Sequence, residues 1–258
     1  MPDELEPVGL EPVSEAARPV RLGMLTPSSN TVLEPVTTAM LRDLPSVSIH
    51  FSRFRVTEIS LRDQALGQFD TAAVVQAARL LADARVDAIA WNGTSSGWLG
   101  FDADVALCAA ITAETGIPAT TSVLALNEIM RATGVRRFGL VTPYLHEVKA
   151  RILANYAAAG FDCVAERHLN DPGNFSYSQV GGETIARMVR EVAAEAPACI
   201  TTFCTNLRAA PLVAALEAET GIPIYDTVSV AVWQSLRLAG VAPRITGWGR
   251  LMAGAVLP

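Results

Sequence analysis

The chain has 258 residues, half of them hydrophobic, and a formal net charge of −6 at neutral pH. Charges of both signs are interspersed, and no basic run is present that would neutralise a phosphate backbone, which excludes nucleic acid from the expected partners. No apolar stretch reaches the ~18 residues of a membrane span, and the N-terminus lacks the basic start and apolar run of a signal peptide, so a soluble cytoplasmic protein is expected.

Residues 1–18 carry Asp3, Glu4, Glu6, Glu11 and Glu15 among prolines with little periodicity, the composition of a disordered acidic tail. Val20 to Leu25 is a short apolar run that ends in Thr26-Pro-Ser-Ser-Asn30. Thr31 to Arg42 then has helical spacing through Val32, Leu33, Val36, Met40 and Leu41. A second strand is expected over Val47 to Val56, and an Ala-rich helix over Phe69 to Ala84. Val86 to Trp91 reads as a buried strand opening into Asn92-Gly-Thr-Ser-Ser-Gly97. Ala103 to Thr115 is helical, with Gly116 as its C-terminal cap; Ile117-Pro118 begins another strand or turn, and Asn127 to Thr133 continues a helix that stops at Gly134.

The order then repeats. Strand Phe138 to Val141, turn Thr142-Pro-Tyr144, helix Leu145 to Ala159 and strand Phe161 to Ala165 are followed by a loop over Leu169 to Tyr177. Helix Glu183 to Ala194 and strand Ala198 to Phe203 come next, then Cys204-Thr-Asn206 and a helix from about Arg208 to Thr220. Strands alternating with amphipathic helices predict an α/β fold in which a mostly parallel sheet is covered on both faces.

Two strings make the repetition explicit. Arg21-Leu-Gly-Met-Leu-Thr-Pro27 recurs as Arg137-Phe-Gly-Leu-Val-Thr-Pro143, and Glu114-Thr-Gly-Ile-Pro118 recurs as Glu219-Thr-Gly-Ile-Pro223. The offsets, 137 − 21 = 116 and 219 − 114 = 105, describe a duplicated unit of about half the chain. Two lobes related by a pseudo-twofold axis are expected, an N-terminal one over residues 19–134 and a C-terminal one over 135–258, with exchange of the terminal helix compatible with that symmetry. Ligands of parallel sheets sit beyond the carboxyl ends of the strands. Pro27-Ser-Ser-Asn30, Gly93-Thr-Ser-Ser96, Pro143-Tyr144 and Cys204-Thr-Asn206 all fall there, so the pseudo-twofold would aim them at one cleft between the lobes.

In that alignment Gly93 of the first half stands opposite Cys204 of the second. A thiol between a strand end and a helix start is expected to feel backbone N–H groups and the helix dipole, which would lower its pKa from ~8.5. Cys204 is therefore the candidate catalytic residue, and Cys108, Cys163 and Cys199, lying in apolar runs, are expected in the core as free thiols. Gly93 reads both as a turn glycine and as a missing side chain that leaves room for substrate. Thr94, Ser95 and Ser96 are either helix caps or part of a carboxylate site, and Ser28, Ser29 and Asn30 suit a second carboxylate. Tyr144 offers a phenol or simple packing, while Thr205 and Asn206 share the position of Cys204. His146 takes the repeat position of Asn30. His50 and His168 have no partner at metal-ligand spacing, and no glycine-rich phosphate loop follows any strand, so neither metal nor nucleotide cofactor is expected.

On Thr26-Pro-Ser-Ser-Asn-Thr-Val-Leu-Glu34, Asn92-Gly-Thr-Ser-Ser96, Val141-Thr-Pro-Tyr144 and Cys204-Thr-Asn206, the chain resembles the aspartate/glutamate racemase superfamily, in its maleate isomerase and arylmalonate decarboxylase branch. It is also similar to racemase-like members of ectoine-utilisation gene sets. Racemases and isomerases of this superfamily carry a cysteine in each half. Arylmalonate decarboxylases carry a glycine in the first and a cysteine in the second, with the first-half loop stabilising an enediolate, and Gly93, Thr94, Ser95 and Cys204 match that arrangement. The first loop resembles the isomerases.

The resemblance implies an enzyme without a cofactor, a small carboxylate or dicarboxylate substrate, and the homo-oligomers common in the superfamily. Racemisation needs an acid on one face and a base on the other, which one cysteine serves poorly. Decarboxylation of an activated malonate needs only charge stabilisation and one protonation, by Cys204. A cis–trans isomerase with Cys204 as nucleophile is the alternative. A catalytically reduced dicarboxylate-binding protein is the third reading.

Overall fold

The computed structural model describes residues 18–62, Gly67 and 71–256. The expected acidic tail up to Ala17 lies outside these residues, as does Phe69. Eight strands form two four-stranded sheets, both parallel throughout. The first has the order β2-β1-β3-β4, with β1 Val20–Pro27, β2 Val47–Phe54, β3 Ala88–Trp91 and β4 Ala119–Thr121. The second has the order β6-β5-β7-β8, with β5 Arg137–Thr142, β6 Asp162–His168, β7 Cys199–Thr202 and β8 Ile224–Asp226. The identical order is the duplication seen in the sequence.

In chain order the helices are α1 Leu33–Met40, α2 Thr71–Asp83, α3 Ser96–Leu99, α4 Phe101–Thr115, α5 Ser122–Ala132, α6 His146–Ala158, α7 Gly182–Ala193, α8 Val213–Thr220 and α9 Thr227–Leu238. The repeated strings explain themselves locally. Glu-Thr-Gly-Ile-Pro closes α4 at Gly116 and α8 at Gly221, both left-handed, with φ of 72° and 73°. Each glycine N–H returns to the helix, to the carbonyl of Thr112 or Glu217, and the proline after it stops propagation. The glycine of the other string serves packing: a Cβ at Gly139 would lie 2.2 Å from Val192 Cγ1, so only glycine lets α7 rest this close to β5.

A 3-10 turn over Phe175–Gln179 and the last strand–helix pair were not read from the sequence. The strand–helix pair β8–α9 follows the second Gly-Ile-Pro as β4–α5 follows the first, and its apolar residues are too continuous to display a period, because α9 is buried almost all round. Side chains start both helices: Thr121 Oγ1 accepts the N–H of Leu124 at 3.0 Å, and Asp226 Oδ1 accepts those of Val228 and Ser229 at 2.9 and 3.2 Å. Helix α9 packs on α5 and across β3 and β4 of the first sheet, although it follows the last strand of the second.

The helix expected from Arg208 starts later. A 3-10 turn over Ala210–Leu212, containing Pro211, precedes α8 at Val213. Proline fits a first turn but cannot donate to a turn behind it, and the chain after Cys204 stays irregular for five residues, 205 to 209, before that 3-10 turn.

Candidate active site

The carboxyl ends of β1, β3, β5 and β7 meet between the two sheets, and bonds across the pseudo-twofold hold them there. Thr205 Oγ1 donates to the Asn92 carbonyl at 3.0 Å, and Asn30 Nδ2 donates to the Thr205 carbonyl at 3.0 Å. The Thr31 N–H reaches Asn206 Oδ1 at 3.0 Å, while Asn206 Nδ2 donates to the Asn174 carbonyl at 2.7 Å. The Tyr144 hydroxyl lies 2.5 Å from Thr94 Oγ1. Each of these polar side chains is buried, so its bonds are made in a low-dielectric setting where a lost partner is costly.

The cavity enclosed there is lined by Gly93, Thr94, Ser95, Tyr144, Cys204, Thr205 and Asn206, seven residues singled out in the sequence. Ser28 and Asn30, also expected, do not line it. Ser28 is exposed, its hydroxyl bonded with the Val56 carbonyl and N–H; Ser29 donates to the same carbonyl at 2.8 Å. Asn30 Oδ1 caps α1 through the N–H groups of Val32 and Leu33. The loop expected to grip a second carboxylate is thus spent on bracing its own helix and the Cys204 turn.

His146 is exposed and stands against His168 at 5.5 Å between ring centres, away from the cavity lining. His168 Nδ1 is hydrogen-bonded with Glu166 Oε2 at 2.9 Å.

Pro27, the one residue of the expected Pro27-Ser-Ser-Asn30 segment to reach it, also lines the cavity; Val56, Ile59, Trp91, Trp98 and Asn174 complete the lining and were not foreseen. Val56 and Ile59 follow a strand with no sequence marker of a site. Trp91 was read only as the end of a buried strand, which it is. Its indole nevertheless corrects the expectation that Gly93 leaves room for substrate: a Cβ on Gly93 would lie 2.0 Å from Trp91 Cζ2 and 2.3 Å from Cε2. The space of the missing side chain is filled by the ring two residues earlier, which also packs on Phe54 at 4.8 Å.

The electrostatics of Cys204 also differ from expectation. No α-helix begins directly after Cys204, as the sequence had predicted; the next one starts at Val213, so the thiol does not sit at its N-terminal turn. Burial dominates and pushes the Cys204 thiol up to about 12, against hydrogen bonds from Tyr144 and from the N–H groups of Asn206 and Leu207 that favour the thiolate. Asn206 N lies 3.4 Å from Sγ. Burial likewise raises the Tyr144 phenol well above its usual value. Both groups are neutral donors across the physiological range.

The caps expected of Thr94, Ser95 and Ser96 are not formed. Ser95 makes no side-chain bond to α3, and the Ser96 hydroxyl donates instead to Asp104 Oδ2 at 2.7 Å. The N–H groups of Thr94 and Ser95 bond no carbonyl among the described residues, leaving donors beside the cavity. Of the remaining thiols, Cys199 is buried in β7 as expected, whereas Cys108 and Cys163 are half-buried rather than fully in the core. No group of three His, Cys, Asp or Glu side chains among the described residues is placed to hold a metal, and no described helix is long and apolar enough to cross a membrane.

Two parallel sheets of identical order, with one thiol and a loop of hydroxyls between them, define a pseudo-symmetric α/β enzyme fold. The sequence pattern of the arylmalonate decarboxylase family matches residues 30–252. The chain belongs to that family, and is an enzyme of the superfamily whose motifs it carries. It is 30% identical over 192 residues to the arylmalonate decarboxylase of Bordetella bronchiseptica, covering 69% of this chain and 76% of the relative. It is 23% identical over 249 residues to the maleate isomerase of Geobacillus stearothermophilus, covering 92% and 99%. Among solved structures, a cysteine-to-serine mutant of the Nocardia farcinica maleate cis-trans isomerase, with a covalently bound succinylcysteine intermediate, superimposes with a TM-score of 0.83 at 24% identity, covering 91% of this chain and 98% of that one. A glycine-to-cysteine, cysteine-to-serine double mutant of arylmalonate decarboxylase in its liganded form gives 0.79 at 25% identity, covering 90% and 98%.

Proposed function

We propose that this enzyme decarboxylates a small activated malonate, with Cys204 as the proton donor. The observation that carries this reading is one neutral thiol facing a half-site whose counterpart position is Gly93, overlaid by Trp91. One carboxylate of the substrate leaves as carbon dioxide, and the electron pair of the broken carbon–carbon bond passes to the α-carbon and the remaining carboxyl as an enediolate. The hydroxyls of Thr94 and Tyr144 and the N–H groups of Thr94 and Ser95 stabilise that charge. The S–H bond of Cys204 then breaks, its proton forms the new C–H bond, and the thiolate takes a proton back from water. Protonation from one side only yields one hand of product. A thiol held up to about 12 is in the required state before the step. The family match and the glycine and cysteine exchanged in the arylmalonate decarboxylase double mutant support the same assignment.

A second reading is cis–trans isomerisation, in which Cys204 adds to a double bond, a single bond rotates and the thiolate leaves. The near full-length likeness to maleate isomerases favours it, as does the succinylcysteine intermediate of one of them. That chemistry needs the thiolate, which burial of Cys204 opposes. Incubation with a malonate panel and with maleate separates the two: decarboxylation releases one carbon dioxide per turnover, whereas isomerisation conserves mass. Fumarate from maleate without carbon dioxide from any malonate would replace the first reading by the second.

A further inference from the structure

The cavity at Cys204 is narrow, with a free volume of about 20 Å³. Next to it lies a second, larger cavity of about 150 Å³, whose walls include the apolar side chains of Val74, Leu99 and Leu107. Trp91 and Ser95 border both spaces. Asp104, which also borders the second, is tied to Ser96 and Thr121. The indole is 2% exposed, wedged between Phe54 and the bare Cα of Gly93, so it is a fixed partition and not a surface ring.

We infer that Trp91 is the specificity-determining residue of this site: it closes the thiol chamber off from the apolar cavity behind it and limits the substrate to a dicarboxylate bearing a small substituent, excluding aryl groups. This rests on the proposed decarboxylation for its substrate class, but not for the partition itself. A planar six-membered ring has no place on the thiol side while the indole stands there. With the indole removed, the two spaces merge and the apolar walls offer such a ring a favourable surface.

The test has two arms. In the first, Cys204 modification is followed by peptide mass spectrometry with N-methylmaleimide and N-phenylmaleimide, which share a reactive double bond and differ in size. The wild-type protein should discriminate against the phenyl reagent at Cys204 by at least about tenfold, and Trp91→Ala and the milder Trp91→Leu should largely abolish that discrimination. In the second, 2-methyl-2-vinylmalonate and 2-methyl-2-phenylmalonate are compared as substrates, since both substituents delocalise the developing charge. The vinyl compound should be preferred by the wild type, and the variants should shift the ratio of kcat/KM at least tenfold toward phenyl, mainly through KM. Equal labelling by the two reagents in the wild type would overturn the inference, as would unchanged discrimination in folded variants. If neither malonate is turned over, the decarboxylase reading fails while the labelling arm still decides the role of Trp91.

Discussion

The two halves of this molecule use the same strand order and the same glycine C-caps, yet they end their third strands differently. With 202 − 91 = 111 and 204 − 93 = 111, Trp91 is the counterpart of Thr202 and Gly93 that of Cys204. Trp91 is paired in register with Thr121, and Thr202 with Asp226. In the second half the Thr202 hydroxyl donates to Asp226 Oδ2 at 2.7 Å, so a small polar pair steadies the strand that presents the thiol. In the first half an indole replaces the small residue, Thr121 turns to Asp104 instead, and the glycine two residues on makes room for the ring. One lobe presents the thiol and the other the indole. On the proposed function, a duplicated fold with two equivalent faces thereby becomes a one-sided site.

The largest break in this asymmetry is removal of the thiol. Cys204→Ser should lower kcat by roughly 10²–10⁴-fold, the usual contribution of a positioned acid, with the melting temperature little changed. Retained turnover in a carbon dioxide assay would remove Cys204 from the chemistry. Next comes the attempt to restore symmetry. Gly93→Cys drives a side chain into the indole and should depress Tm by roughly 5–10 °C, whereas Trp91→Leu combined with Gly93→Cys should recover part of that loss. Thermal melts of the single and double variants decide whether the ring and the glycine act as a pair.

The pH profile probes the state of the thiol. Because burial holds Cys204 up to about 12, a proton-donor role predicts a kcat insensitive to thiol ionisation from pH 7 to about 10, falling only as the thiolate forms. A nucleophilic thiolate would instead give a rate rising about tenfold per pH unit over that range. Tyr144→Phe, which deletes the hydroxyl bonded to Thr94, should cost roughly tenfold in kcat, the value of one hydrogen bond, while leaving KM close to wild type.

The smallest effect concerns the first-half support. Burial raises the Asp104 carboxyl from 3.8 to about 6. Below the unfolded value it is protonated in both states; as pH rises through 6 the folded protein must ionise it in its interior, and stability is lost. The Asp104→Asn variant should therefore compare more favourably with wild type at pH 7.5 than at pH 4, by roughly a few degrees in Tm. A difference independent of pH would show that the carboxyl is not protonated preferentially in the fold.

The repeated strings showed the duplication, the parallel α/β organisation and the four strand ends that gather at the site, because strands and caps are written in short-range patterns: apolar runs, Gly at a left-handed cap, Pro after it. Gly93, Thr94, Ser95, Tyr144, Cys204, Thr205 and Asn206 were legible for the same reason, each following a recognisable strand. Ser28 and Asn30 looked equivalent to them but are consumed by local bonds to Val56 and to α1, which no spacing reveals. Helix α9 escaped because a helix buried almost all round has too narrow a polar face to mark its period.

By itself, then, the sequence determined the architecture and the lone thiol facing a glycine, since both follow from residue types at fixed intervals. Tertiary structure alone decided what that glycine is for and what state the thiol is in. Both depend on packing among residues distant along the chain: the Trp91 ring over the Gly93 Cα, and the burial that outweighs every local donor around Cys204.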